Sequence, residues 1–254
     1  MSGGFEVNEN FLEAWNLAKG YEERGHKLFK QSKFLEAAES HKQAASQFMK
    51  AIGLLEAEDL ETRNRTLGNH YIELANYFQS LATEFFYRGN KTKAFTHFQQ
   101  AIEDQKNAVE EYEKLVQDDV KRTELNLLKS KLHLLLAYEN ICIAQVAFMK
   151  EEYLKAAENF GTAEIHSNLE AEFVSELGDL NRLKLVKARS YYIKGQIFRS
   201  GALSAIQKGD RKEAKQKYQE AAQSFENAAS LLPDWDEYKE LSEKARKMAS
   251  AIKV

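Results

Sequence analysis

The sequence contains a single proline, Pro233, and a single cysteine, Cys142, in 254 residues. Because proline removes a backbone donor and clashes inside a helix, its scarcity permits long uninterrupted helices. One cysteine excludes an internal disulfide. Its apolar neighbours Ile141 and Ile143 indicate a small buried side chain rather than a reactive thiol.

The sequence also lacks a recognisable targeting signal and a strong net charge. Residues 1–6 lack the charged-then-apolar pattern of a signal peptide. The most apolar stretch, 132–149, is interrupted by Glu139, Asn140 and Gln145, so we expect no membrane span. The net charge of −3 produces no global field that would favour nucleic acid or acidic membranes. These features predict a soluble, cytoplasmic protein.

Motifs for catalysis and metal binding are missing as well. The sequence has no Gly-x-Ser-x-Gly elbow and no Gly-x-x-x-x-Gly-Lys phosphate loop. Glu23 and His26 form one Glu-x-x-His pair, whereas a di-iron bundle needs two such pairs and two further inward carboxylates. Paired cysteines and His-Glu-x-x-His, which would indicate zinc, do not occur. We expect no catalytic residue, no metal and no cofactor, and thus a protein that is not an enzyme.

The sequence has instead a helical period of apolar residues throughout, without a run typical of a strand. This period predicts an all-α protein of about nine antiparallel helices in one domain, 1–254. The predicted helices are 8–31, 34–57, 62–88, 91–117, 122–150, 152–177, 180–207, 211–231 and 234–252. They form four long hairpins, near 8–57, 62–117, 122–177 and 180–231, followed by a C-terminal capping helix, 234–252.

Four segments of the chain align without a gap on one alanine after each predicted turn. The alanines are Ala37, Ala94, Ala156 and Ala214. Four residues after each anchor alanine stands a residue with a ring: His41, Phe98, Phe160 and Tyr218. Seven residues after it stands a second alanine: Ala44, Ala101, Ala163 and Ala221. Twelve residues before it stands a small residue: Gly25, Ala82, Ala144 and Ala202. Small residues at fixed offsets let two helix backbones approach closely, so we expect Ala94 and Ala101 to be buried. A regular period indicates a repeat architecture, which usually serves binding.

The turns between these helices carry suitable residues. Gly89-Asn90, Gly178-Asp179 and Gly209-Asp210 each place glycine at a helix C-terminus and a capping residue after it. Leu232-Pro233-Asp234 is predicted to end one helix and begin the last.

The second segment carries a large–small–aromatic–glycine order in Phe78, Leu81, Ala82, Phe85, Gly89, Ala94, Phe98 and Ala101. This order resembles a tetratricopeptide repeat. Those units recur at about 34 residues, whereas these recur near 60. The chain is therefore similar to long-helix relatives such as the soluble attachment proteins of membrane fusion, or to 14-3-3 proteins. The resemblance covers most of 15–231.

The resemblance implies a concave face lined by the first helix of each hairpin, and hence a groove that binds a partner. The residues it places there are Asn76, Gln79, Thr83, Tyr138, Ile141, Gln145, Arg189, Tyr192, Gln196 and Arg199.

Charge is distributed unevenly in the second half of the chain. Residues 151–179 carry eight acids and one base, whereas residues 180–209 carry seven bases and no acid. Two interpretations stay open. The two helices bind each other through salt bridges, or the face of Arg189 and Arg199 receives an acidic or phosphorylated peptide.

The sequence favours a non-enzymatic adaptor that binds a peptide or helical segment of a partner protein in this groove. One alternative is a structural or assembly protein that self-associates. A less favoured alternative is a nucleic-acid binder that uses the basic helix 180–209.

Overall fold

The computed structural model describes residues 9–56, 59–115 and 119–253. All regular secondary structure in these ranges is helical, and no strand forms in them. The described residues form nine helices in succession: α1 Glu9–Lys30, α2 Phe34–Ile52, α3 Leu60–Tyr87, α4 Lys91–Glu113, α5 Asp119–Met149, α6 Tyr153–Glu176, α7 Leu180–Gln207, α8 Arg211–Leu231 and α9 Asp236–Ala251. The predicted all-α class and the nine helices are confirmed for the described residues.

The helix ends differ most from the prediction where no glycine–cap pair marks the turn. Helix α2 ends at Ile52 rather than at 57, because the amides of Leu54 and Leu55 turn back to the carbonyls three residues earlier. This tighter turning ends the α-helical register. Helix α4 likewise ends at Glu113 rather than at 117. The predicted ends at 8, 57 and 117 lie outside the described residues.

The three predicted glycine–cap pairs act as proposed, whereas the last helix begins at Asp236 rather than at 234. Asn90, Asp179 and Asp210 each accept a hydrogen bond from the amide three residues later, at 3.1, 2.9 and 2.9 Å. Gly89, Gly178 and Gly209 have φ of 80°, 69° and 79°, which glycine adopts at little cost. At the two other turns of the aligned segments, the position of Gly89 and Gly209 is taken by Ser32 and Glu151, both with φ of 60°.

The chain divides into two compact units, Met1–Leu132 and His133–Val254, with the boundary inside α5. In the first unit α1 packs on α2, α2 on α3, and α3 on α4. Its core includes a cluster of Val109, Tyr112, Leu115, Leu125 and Leu128. The prediction of a single domain stays a prediction.

In the second unit, α6 packs on α7, α7 on α8, and α8 on α9. One core cluster contains Ala202 of α7 together with Tyr218, Ala221, Ala222 and Phe225 of α8. Two α9 residues, Ala245 and Ala249, complete this cluster. The last helix therefore contributes to the core of its unit.

The aligned small residues are buried in every segment. All four anchor alanines and the four alanines seven residues later are fully inaccessible. The predicted burial of Ala94 and Ala101 is thus confirmed, and the helices that flank their turn, α3 and α4, pack on each other. Gly25 shows why a small residue is needed: a Cβ there would lie 2.6 Å from the ring of His41.

Helix α5 is the most apolar element. Its part Val120–Met149 is long and apolar enough to cross a membrane by length and composition, with a mean hydropathy of 1.4 over its best 18 residues. The expectation of no membrane span therefore stays a prediction. The core helix of a soluble protein meets the same criteria, and Leu135, Ile141 and the single cysteine, Cys142, are buried here.

Candidate functional site

The predicted groove residues fall in both units, and the three in the first unit have internal partners. Asn76 is buried, with 6% exposure. Its Nδ2 donates to Oε1 of Glu73 at 2.8 Å, and its Oδ1 accepts from Lys131. The hydroxyl of Thr83 donates to the carbonyl of Gln79 at 2.8 Å. Asn76 therefore belongs to a buried polar network, and only Gln79 and Thr83 are partly exposed.

In the second unit the predicted residues form two contacts with each other. The guanidinium carbon of Arg189 lies 5.6 Å from the ring centroid of Tyr138. Nη1 of Arg199 donates to Oε1 of Gln196 at 3.4 Å, and Gln196 is buried. Gln145 is half-buried, and its Oε1 has no hydrogen-bond partner among the described residues.

Arg189 is occupied by an internal ion pair. Its Nη2 binds Oε2 of Glu170, whose residue exposure is 1%. Nη2 of Arg182 lies 3.9 Å from the other carboxylate oxygen. Burial raises the pKa of Glu170, while the charges of Arg189 and Arg182 oppose that rise. For Arg189 and Arg182, the interpretation of salt bridges between the acidic and basic helices is the one the structure shows.

Arg199 has a different environment on the same helix. Its guanidinium carbon lies 4.7 Å from the ring centroid of Phe148. No carboxylate of the described residues forms an ion pair with it. It stands in a cavity of about 550 Å³ beside a second cation, Lys244. The other cavity residues are mostly apolar: Phe148, Leu203, Tyr218, Leu241, Ala245 and Met248.

The cavity was missed in sequence because half of it comes from the last helix. Leu241, Lys244, Ala245 and Met248 lie on α9, which the sequence assigned only a capping role. Their spacing of three and four residues places them on one helix face, and that spacing is the signal that could have found them. Lys244 also pairs with Glu240 at 3.5 Å, in an exposed contact that is weak in water.

A second polar cluster lies in the first unit. Nδ1 of His41 and Oε2 of Glu73 are 2.7 Å apart, and both residues are 1% exposed. The ring of His26 lies 5.1 Å from that of His41. One donor atom each from Glu22, His26 and Glu73 lies within 4.8 Å of the other two. Although His26 is exposed as a residue, partial desolvation of its ring lowers the pKa of His26, and the nearby imidazole of His41 lowers it further.

The second unit holds a histidine pair. The Nδ1 atoms of His133 and His166 are 3.2 Å apart, and His133 stacks on Phe173 with ring centroids 5.7 Å apart. Burial lowers the pKa of both histidines, and for His133 the neighbouring His166 adds to the effect.

No protein-family model matches the chain, and no curated protein matches it significantly.

Proposed function

We propose that the protein is a non-enzymatic adaptor, and that the cavity around Arg199 and Lys244 binds an acidic segment of a partner protein. The observation that carries this proposal is the state of Arg199. It stacks on Phe148 in an apolar cavity, and no carboxylate of the described residues pairs with it. A partner carboxylate or phosphate would provide the counter-charge.

The chemistry of the cavity defines the segment it fits. A guanidinium can hold a carboxylate or phosphate through two parallel hydrogen bonds, and the ring of Phe148 lies beside this guanidinium. The volume of about 550 Å³ falls in the range of small-ligand sites. Leu203, Leu241 and Met248 can accept an apolar side chain. We therefore expect an acidic peptide with at least one apolar residue beside the acid.

Arg189 has a supporting role in this proposal. Its pairing with Glu170 joins α7 to α6, and α7 also carries Arg199. The wider groove of the sequence prediction, with Gln79, Thr83, Tyr138 and Gln145, stays a prediction. The buried Asn76 receives no binding role.

We further propose a stack of four helical hairpins with a capping helix, of the long-helix tetratricopeptide-like type, in the cytoplasm. Two observations support the repeat. The aligned alanines are inaccessible in all four segments, and the same turn position has positive φ in all four, at Ser32, Gly89, Glu151 and Gly209.

The proposal is tested by fluorescence anisotropy with labelled synthetic peptides. One peptide is rich in Asp and Glu around a single leucine, a second carries phosphoserine in their place, and a third carries Gln. We expect the wild-type chain to bind the first two and not the third. Arg199→Glu should lose binding, whereas Arg211→Glu should keep it, because Arg211 is an exposed arginine of the same unit that does not line the cavity.

Two outcomes would contradict this function. The first is equal affinity of the acidic and Gln peptides for the wild-type chain. The second is equal loss of binding in Arg199→Glu and Arg211→Glu, because binding would then follow net charge rather than this cavity.

A further inference from the structure

We propose that Glu22, His26 and Glu73 bind a divalent transition-metal ion in the unit Met1–Leu132, with zinc as the test ion. This site is separate in sequence and in chemistry from the Arg199 cavity. It also differs from the sequence-based expectation of no metal, which considered His26 only together with Glu23.

The three donors come from two helices. Glu22 and His26 are four residues apart on α1 and so share one face, and Glu73 comes from α3. Their donor atoms all lie within 4.8 Å of one another. Ligands about 2.0–2.1 Å from a tetrahedral zinc ion are about 3.4 Å apart. Binding therefore requires a small closure of the triangle, which the half-buried Glu22 and the exposed His26 can make by side-chain rotation.

Glu73 is the fixed member of the site. Its two carboxylate oxygens are held by Nδ1 of His41 at 2.7 Å and by Nδ2 of Asn76 at 2.8 Å. Hydrogen bonds of this kind orient metal-ligating carboxylates and tune their affinity. The ring of His41 takes its position because Gly25 has no side chain in its way. The fold thus supplies a supporting shell for one buried donor.

Charge and donor type select the ion. Two carboxylates and a neutral imidazole offer two negative charges to a divalent cation. One nitrogen and two oxygen donors without a thiolate suit zinc, manganese or iron(II) rather than copper(I). Water can complete the coordination on the exposed side of His26, as in open zinc sites.

Two lysines oppose the ion and limit its affinity. Nζ of Lys19 binds Oε2 of Glu22 at 2.6 Å. Nζ of Lys131 donates to Oδ1 of Asn76, whose Nδ2 donates to Glu73. A bound cation competes with Lys19 for Glu22. Lys19→Gln should therefore strengthen zinc binding, which is a signature that a merely structural role of the cluster would not give.

The test is isothermal titration of the full chain with zinc chloride, after dialysis against a chelator. We expect one zinc ion to bind per chain, and Glu22→Gln and His26→Ala each to reduce the affinity for zinc at least tenfold. A loss of about tenfold or more is found even when residues that only support the metal ligands are replaced. Glu23→Gln is the matched control: it removes the adjacent carboxylate of the same helix and should bind zinc like the wild type. His166→Ala controls for zinc bound at the histidine pair of the other unit.

The folded state of each variant is checked by circular dichroism in the absence of zinc. Because Glu22 is half-buried and His26 is exposed, both variants should keep the wild-type spectrum. The proposal is overturned if Glu22→Gln and His26→Ala bind zinc as the wild type does, if His166→Ala removes the binding, or if the wild type shows no stoichiometric site.

Discussion

Arg189 on α7 binds the buried carboxylate of Glu170 on α6, and this ion pair separates its role from that of Arg199 on the same helix. Both arginines were predicted to line one groove. Arg189 is largely buried in its pair, whereas Arg199 faces a cavity with an aromatic ring on one side. Only Arg199 is therefore suited to test binding by substitution, because a substitution of Arg189 would also remove an internal ion pair.

The first prediction separates these two roles by stability. Arg189→Met leaves the carboxylate of Glu170 buried with only Arg182 near it, and should lower the free energy of unfolding by about 3–5 kcal/mol. Arg199→Met loses a stacking contact with Phe148 and should cost less than about 1 kcal/mol. Urea denaturation at neutral pH measures both. Equal costs for the two variants would contradict the distinction.

The second prediction compares two glycines of α1. A Cβ at Gly25 would lie 2.6 to 2.8 Å from the ring of His41, which is itself buried, so Gly25→Ala should destabilise by about 1–3 kcal/mol. Gly20 has no neighbouring atom within 4 Å of the same position. Gly20→Ala should stabilise the protein by about 0.5–1 kcal/mol, because alanine favours helix. Changes of the same sign in thermal denaturation would refute the packing of His41 on Gly25.

The third prediction concerns the turns that lack glycine. Ser32 and Glu151 have φ of 60°, a conformation that costs residues with a side chain about 1–2 kcal/mol. Ser32→Gly and Glu151→Gly should each stabilise by about 0.5–1 kcal/mol, since the relief exceeds the added entropy of the unfolded chain. Gly209→Ala should have the opposite effect. The midpoints of chemical denaturation give the comparison, and a loss of stability in both glycine variants would count against these turn conformations.

The fourth prediction uses the histidine pair. Burial lowers the folded-state pKa of His133 and His166 below the ordinary value of 6.5. Below that value the unfolded chain binds more protons than the folded one, so the free energy of unfolding falls as pH falls through 6.5 towards the folded-state pKa values. His133→Asn with His166→Asn should make the difference between about pH 7.5 and pH 5.5 smaller. An unchanged difference would show that the pair does not contribute.

The helices and three of the turns could be predicted from sequence because their causes are local. A glycine followed by Asn or Asp ends one helix and caps the next, as Gly89-Asn90 and Gly209-Asp210 do. The ends of α2 and α4 were missed because no such pair marks them. Ser32 and Glu151 adopt the same turn conformation against their intrinsic preference, so a rule that looks for glycine misses these two turns.

The sites were harder to predict because they join distant parts of the chain. The helical period places Arg189 and Arg199 on one face of α7. It does not reveal that Glu170 forms an ion pair with Arg189 and not with Arg199. Spacing paired His26 with Glu23, whereas the fold brings it to Glu22 and Glu73. Such pairings depend on which helices neighbour each other, and a local pattern carries no information about that.

The central claim, that the Arg199 cavity selects an acidic segment, is tested most directly by reversing its charge. The measurement is the ratio of affinities for an acidic peptide and for its lysine counterpart, in the wild type and in Arg199→Glu with Lys244→Glu. We predict that the wild type prefers the acidic peptide and that the double variant prefers the basic one, with an unchanged helical spectrum. A double variant that keeps the wild-type preference would contradict the account, because the discriminating charges would then lie elsewhere.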